Sequence, residues 1–296
     1  MASNEVLHVK APAKINLFLA IGARRPDGFH DLETIFHAIE LCDELSFRKT
    51  KESFRITCLA PDVPTDSSNL IWKAAELLKK EKGCSFGCEV ELKKKVPMGA
   101  GLGGGSSDAA ATLRALDRLW ETHSTRGELE RMAAKLGSDV PFFLGKGTAL
   151  GKGRGEILES LPSLPELFLV VALPQVRIST PWAYARLDEM PARRHFSIAP
   201  MLEALKKGSL SEIAQSLGNS FEEALFPSLP ILADLKKKLL SSGALGASLS
   251  GSGSAMFGLY ENEEKAKRAA DGLRAEGFTA YPLTPSLSPR CASTDG

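Results

Sequence analysis

Pro97-Met98-Gly99-Ala100-Gly101-Leu102-Gly103-Gly104-Gly105-Ser106-Ser107-Asp108-Ala109-Ala110 is the densest glycine cluster of this chain. It runs without a gap into an alanine-rich helix start, Ala109 to Leu116. Glycines let backbone N–H groups converge on one point, and a helix N-terminus adds about half a positive charge there. Ser106 and Ser107 add hydroxyls for a phosphate oxygen or a bound magnesium ion. A flexible linker would not pass straight into a helix, so the stretch reads as a phosphate site.

Three common phosphate motifs fail to describe it. A Walker loop needs GxxxxGK[ST], and the chain contains no such string. GxGxxG does occur at Gly99, Gly101 and Gly104, but the preceding Glu91-Leu92-Lys93-Lys94-Lys95-Val96-Pro97 is too polar for a buried parallel strand. A protein-kinase glycine loop wants valine two residues past the third glycine, where this chain has Ser106.

Around the loop the pattern is mixed. Residues 5–60 read mainly as antiparallel β with one wet face, interrupted by the turn Arg24-Arg25-Pro26-Asp27-Gly28. An amphipathic helix is expected from Asn69 to Gly83, a strand from Cys88 to Val96, and a helix from Gly127 to Leu136. A second glycine-rich stretch covers Gly145 to Gly155. The second half opens on a buried strand, Leu167 to Leu173. Helical patterns follow at 181–190, 199–217, 219–225 and 229–242, then a strand at 255–260 and a helix at 262–276. Strands and helices do not alternate regularly, which predicts an α+β fold.

With 296 residues, a division by about 150 residues per domain gives two. Leu161-Pro162-Ser163-Leu164-Pro165 is the expected linker between 1–160 and 166–281, with a flexible tail over 282–296. At 43% hydrophobic and 25% charged, the chain can bury enough apolar surface to fold. A net charge of +1 gives no electrostatic reason to expect nucleic acid or an anionic membrane. The five cysteines (Cys42, Cys58, Cys84, Cys88, Cys291) are odd in number and form no CxxC, so they read as reduced thiols. The N-terminus lacks a signal-peptide pattern and no apolar run approaches about 18 residues, which predicts a cytoplasmic protein.

The string from Pro97 to Ala110 resembles the ATP-phosphate loop of the GHMP kinases, the superfamily of galactokinase, homoserine kinase, mevalonate kinase and phosphomevalonate kinase. Pro12-Ala13-Lys14-Ile15-Asn16-Leu17 is similar to its first motif, and Leu249-Ser250-Gly251-Ser252-Gly253-Ser254 to its third. The resemblance implies a two-domain α+β architecture with the active site in the cleft between domains, ATP as phosphoryl donor, and Mg2+. The segment Arg24 to Phe36 resembles the cytidine-recognition segment of one branch of the superfamily. Gly137 to Phe143 and Gly147 to Glu156 match the pattern of that branch as well. That likeness implies phosphorylation of the 2-hydroxyl of a cytidyl diphosphate-linked methylerythritol, an isoprenoid precursor of the non-mevalonate route. One departure is plain: the branch usually has Tyr-His where this chain has Phe29-His30.

Residue roles follow from the likeness. On pattern alone Lys14 is a lysine at a strand edge, by default solvated; the resemblance aims it at the reacting hydroxyl and γ-phosphate. Asp139 by itself reads as a turn or cap aspartate, and the resemblance makes it the general base. A sugar-alcohol hydroxyl needs a carboxylate to take its proton, and a neighbouring cation keeps that carboxylate ionised. Residues 97–107 would hold ATP, with Ser106 a candidate magnesium ligand; Asn69 and Lys95 resemble positions near the nucleotide. The lysine run 93–95 otherwise reads as a solvated strand face. Asn16, Phe29, His30, Thr180, Tyr184, Gly251, Ser252 and Gly253 would bind the acceptor, with His30 reading cytosine and Phe29 and Tyr184 on its faces; Phe-His after a turn otherwise reads as packing. The expected partners are the small-molecule substrate and ATP, acting on a monomer or weak dimer. The alternatives are a GHMP kinase for another alcohol, a catalytically dead nucleotide binder, and a dehydrogenase resting on the single GxGxxG.

Overall fold

The computed structural model describes residues 6–145, 147–162, 164–190 and 196–284. The first sheet is built by β1 (Val6–Arg24), β2 (His30–Thr50), β3 (Phe54–Cys58), β4 (Gly87–Lys93), β5 (Thr148–Lys152) and β6 (Ile157–Ser160). β1 and β2 form one long antiparallel hairpin across the turn at residues 25–29, in register from Val6↔Arg48 to Arg24↔His30 with three bulges. β4 pairs with the C-terminal part of β2 and β5 with its N-terminal part.

Three helices cover this sheet: α1 (Leu70–Lys82), α2 (Gly104–Leu119) and α3 (Arg126–Leu136). α1 starts where the Asn69 side chain accepts from the Ile71 N–H at 2.9 Å and stops at Gly83 in the left-handed region. α3 carries a reciprocal capping box between Thr125 and Glu128. α2 buries Ala109, Ala110, Ala111, Leu113, Ala115 and Leu116, and its small side chains let the helix lie close to β1 and β2. A short 3-10 helix, Pro141–Leu144, follows α3.

The second sheet has the order β11-β7-β10-β9. Its strands are β7 (Phe168–Leu173), β9 (Gly246–Leu249), β10 (Met256–Tyr260) and β11 (Thr279–Leu283), with β8 (Gly218–Asn219) set apart. Its helices are α4 (Thr180–Asp188), α5 (Ala199–Lys207), α6 (Leu210–Gln215), α7 (Ser220–Leu225), α8 (Pro230–Ser241) and α9 (Glu263–Ala275). β8 leaves this half and pairs in parallel with β1 at Phe18 and Leu19. Between the sheets lies one apolar layer drawn from both, including Ile15, Leu17, Ile35, Leu102, Val171 and Phe257.

Several elements depart from the sequence expectation. α2 begins at Gly104, five residues before the alanines, so the last glycines and both serines belong to its first turns. β4 ends at Lys93 because the Asp43 carboxylate takes the N–H groups of Lys95 and Val96, which turns the chain. The 199–217 pattern is two helices, broken at Gly208 with φ 65°. β9 and β11 were not expected. Pro282 and Leu283, assigned to the tail, are strand residues of β11, an edge strand where proline costs no interior ladder bond. The rest of the expected tail beyond Thr284, with Cys291, lies outside the described residues, as does Ser163 of the expected linker. Among the described residues Cys42, Cys58, Cys84 and Cys88 form no disulfide. Among the described residues no helix is long and apolar enough to cross a membrane.

Candidate active site

The three motifs meet through their backbones. The Lys14 N–H donates to Leu102 O at 2.9 Å and the Ala255 N–H to Ala100 O at 3.1 Å. The Ser250 hydroxyl donates to Gly101 O at 2.9 Å. A Cβ on Gly101, at φ 76°, would sit 2.0 Å from Ser250 O, so the two glycine loops touch where only glycine fits. Within the first loop, Ala100 and Leu102 point down into the layer between the sheets. Burying a leucine side chain contributes about 1.5–3 kcal/mol, so Leu102 anchors a loop otherwise made of glycine.

Gly103, in the left-handed region at φ 70°, is the N-cap of α2 and supplies no side-chain cap. The N–H groups of the first turn therefore stand uncapped by any side chain beside an open cleft of about 1280 Å³. Residues 97–106 all line that cleft. This is a cradle for phosphate built from main chain and helix terminus.

Lys14 sits at the centre, only 3% exposed, with its Cγ below Gly103. Its Nζ donates to Asn16 Oδ1 at 2.6 Å and lies 3.8 Å from Asp139 Oδ2. Asn16 Nδ2 in turn donates to Thr34 Oγ1 at 2.8 Å, and Thr34 donates to Phe18 O at 2.7 Å. This chain fixes the asparagine and through it the ammonium. Burial pulls Lys14 below the ordinary lysine value, and Asp139 offsets part of that. Asp139 comes from the loop after α3, held by the Val140 N–H donating to Gly137 O.

At the other end His30 is buried, with Nε2 2.8 Å from Asp188 Oδ1, and its ring stacks on Tyr184 at 5.0 Å and 22°. The edge of Tyr184 meets Phe221 at 85°. Burial, with Asp139 and Asp188 nearby, pushes the Tyr184 hydroxyl up to about 12. Phe29 is 52% exposed and lines the same cleft beneath the Arg154 guanidinium. Thr180 Oγ1 is 3.0 Å from Ser252 Oγ, and Gly251, Ser252 and Gly253 border the cleft from the second sheet.

Two expectations are corrected. Ser107 does not face the nucleotide cleft: its hydroxyl is buried on the opposite side, near Val9, Lys10 and Phe143, and its N–H is taken by Gly103 O. Lys95 points outward to Glu44, and its neighbour Lys94 enters the cleft wall instead. β4 ends one residue before Lys94, so strand alternation no longer decides which lysine is buried. Lys94 Nζ bridges Asp43 and Asp108 at 2.5 and 2.7 Å. Burial pushes the Asp108 carboxyl up to about 7, against the pull of Lys94 and helped by Asp43. Asn69 lies at the cleft rim with both side-chain atoms engaged, the oxygen on Ile71 N and the amide on Pro64 O.

Sequence reasoning missed Asp188, Lys94, Asp108, Arg154 and Asn219. Asp188 carried a signal: it lies four residues after Tyr184 on α4, on the same helix face. Asn219 caps α7 through Oδ1 while Nδ2 donates to Leu249 O and Gly251 O, both at 2.8 Å, which holds the second glycine loop.

Comparison with known proteins bears on the fold and the family. The GHMP kinases N terminal domain matches residues 69–147 and the GHMP kinases C terminal domain residues 201–278. A homoserine kinase from Cytophaga hutchinsonii has the same fold, with TM-score 0.76 at 23% identity over 97% of this chain and 96% of that one. The chain is thus a GHMP kinase, with the α+β, two-domain architecture of that superfamily. The 4-diphosphocytidyl-2-C-methyl-D-erythritol kinase of Prosthecochloris aestuarii is 44% identical, covering 91% of this chain and 94% of that protein. The enzyme of the same name from Exiguobacterium sibiricum is 42% identical, covering 90% and 93%. A crystal structure of a 4-(cytidine 5'-diphospho)-2C-methyl-D-erythritol kinase matches with TM-score 0.81 and 37% identity, covering 94% and 98%. Within the superfamily, the chain belongs to the 4-diphosphocytidyl-2-C-methyl-D-erythritol kinase family.

Proposed function

We propose that this protein transfers the γ-phosphoryl group of ATP to the 2-hydroxyl of 4-diphosphocytidyl-2-C-methyl-D-erythritol. The observation that carries the reading is one continuous cleft with a Lys14–Asp139 pair between two unlike ends. One end is a phosphate cradle of main chain, and the other is an aromatic and imidazole pocket suited to a nucleobase.

Asp139 is the general base: its carboxylate accepts the proton of the attacking hydroxyl as the new P–O bond forms. The Lys14 ammonium stands 3.8 Å from that carboxylate and offsets charge on the transferring group. The amides of residues 99–105 and the α2 N-terminus receive the β- and γ-phosphates. Magnesium, when bound with the nucleotide, neutralises phosphate charge. Ser106, in the first turn of α2 and on the cleft wall, is the residue disposed to hold it. Among the described residues no three acidic, histidine or cysteine groups gather to hold a metal without nucleotide.

Base recognition follows from the His30–Asp188 contact. The carboxylate only accepts, so Nε2–H donates to it, which leaves Nδ1 as an acceptor whenever the ring carries a single proton. An imidazole in that tautomer takes a hydrogen bond from the exocyclic amine of cytosine, while Phe29 and Tyr184 offer faces for stacking. The expected form is a monomer or weak dimer in a reducing cytoplasm, in keeping with cysteines that form no disulfide among the described residues. The test is ADP release with the cytidyl substrate against unlinked methylerythritol phosphate. Turnover confined to the cytidyl substrate is expected, and equal rates would refute the reading.

A further inference from the structure

Three charged side chains sit under the phosphate cradle and take no part in the transfer described above. Asp43 on β2 is fully buried, Asp108 on α2 is 3% exposed, and the Lys94 side chain is 8% exposed. Lys94 Nζ lies 2.5 Å from Asp43 Oδ2 and 2.7 Å from Asp108 Oδ2. Charges removed from water are costly unless each is closely paired, and one ammonium here serves two carboxylates. Ending β4 does not call for that arrangement. A neutral acceptor at residue 43 would take the N–H groups of Lys95 and Val96 equally well.

The cluster reaches both ends of the glycine loop. Asp43 Oδ1 accepts from the Lys95 and Val96 N–H groups at 2.6 and 2.8 Å, immediately before Pro97. Asp108 stands just past the first turn of α2, where the loop ends. The middle of the loop is fastened separately, by Leu102 O on the Lys14 N–H and Gly101 O on the Ser250 hydroxyl. Its N-cap, Gly103, offers no side chain, and a Cβ on Gly104 would lie 3.1 Å from Lys94 Nζ. Lys94 and Asp108 border the cleft, whereas Asp43 does not.

We propose that Asp43 is a positioning residue for ATP: it fixes one end of the phosphate loop directly and the other through Lys94 and Asp108. The inference rests on the cradle receiving the phosphates, as given above. The spacing of the two loop ends sets the direction of the α2 N-terminal amides. Donors aimed in advance at a phosphate need no reorganisation when it arrives. Asp43 therefore acts on the nucleotide without touching it. The role calls for a carboxylate, which accepts through both oxygens. An asparagine turned to receive the two N–H groups would present its own amide protons to the Lys94 ammonium, donor against donor.

The test compares wild-type protein with Asp43→Asn and with Asp43→Glu, which keeps the charge and lengthens its reach. Dissociation constants for ATP and for CDP are measured by calorimetry, with thermal unfolding followed beside them. Asp43→Asn is expected to weaken ATP at least about tenfold, the size of one hydrogen bond to a charged group, with CDP held within about twofold. KM for ATP rises by the same factor while KM for the acceptor stays. Asp108→Asn added to Asp43→Asn costs less ATP affinity than Asp108→Asn alone, because the two ends form one connection; strict additivity would overturn the proposal. Asp43→Glu weakens ATP in the same selective way, and it decides alone if Asp43→Asn does not fold. Lower thermal stability with unchanged ATP affinity would reduce Asp43 to a stop for β4, and equal loss for ATP and CDP would make it a general support of the fold. Either overturns the proposal while the cradle stands. Wild-type protein that binds no ATP would instead overturn the cradle itself.

Discussion

The two ends of the cleft are made differently. The phosphate end is main chain: a run of consecutive residues, 97–106, whose side chains matter mostly by being absent or by anchoring the loop from below. The base end is side chain: His30 from β2, Tyr184 and Asp188 from α4, and Phe29 from the hairpin turn. A site made of amides tolerates little change in backbone shape. A site made of side chains can lose one group and keep its frame.

The largest effect is expected where the two ends meet. Asp139→Asn should lower turnover at least about 100-fold, within the range for loss of a general base, with ATP affinity retained in equilibrium binding. Near-normal turnover would remove Asp139 from that role.

Next comes the backbone end. Gly101→Ala meets both a positive φ and a carbonyl 2.0 Å from the new Cβ, and should cost at least about 1–3 kcal/mol. Thermal unfolding and KM for ATP should worsen together. Gly105→Ala, whose Cβ has only Leu70 at 3.8 Å, should be tolerated in stability. Equal effects of the two would break the distinction between shape and space.

At the base end, Asp188→Asn or Tyr184→Ala should raise KM for the cytidyl substrate about tenfold while leaving KM for ATP unchanged. A parallel rise in both KM values would mean that the two ends are not separable.

The pH profile sharpens the midpoint. Burial lowers the Lys14 value in the free protein, and the charged form is the working one, so kcat/KM should fall on an alkaline limb placed below 10.5. A profile flat through 10.5 would separate activity from the Lys14 charge. The smallest effect belongs to Phe29→Tyr, which adds a hydroxyl to a half-exposed ring and should lower KM for the cytidyl substrate by less than about tenfold.

The same contrast explains what could be read from the residues alone. The phosphate loop was legible because its cause is local: contiguous glycines, then a helix. Even there the sequence misplaced the helix start, since glycine propensity argues against Gly104 and Gly105 while the cleft and the packing against β1 favour them. Lys14, Asp139, His30 and Tyr184 were found through the family likeness, each having a bland reading by itself. Lys94 was missed in favour of Lys95 because only Asp43, about fifty residues upstream, decides where β4 stops. Arg154 lies in the stretch Gly147 to Glu156, which matches the branch pattern without assigning this side chain a role.

Asn219 adds a statement about time. Its two-residue strand pairs with Phe18 and Leu19, 200 positions earlier in the chain (218 − 18), and its amide holds the loop at Gly251. Contacts of such separation carry a high loop-closure cost and form late in folding. A ribosome-bound chain that has emerged only to residue 160 carries Lys14, the glycine loop and Asp139, yet lacks the Ser250 carbonyl against which Gly101 is seated. Catalytic competence should therefore arrive abruptly with the last hundred residues, rather than accumulate as the polypeptide grows.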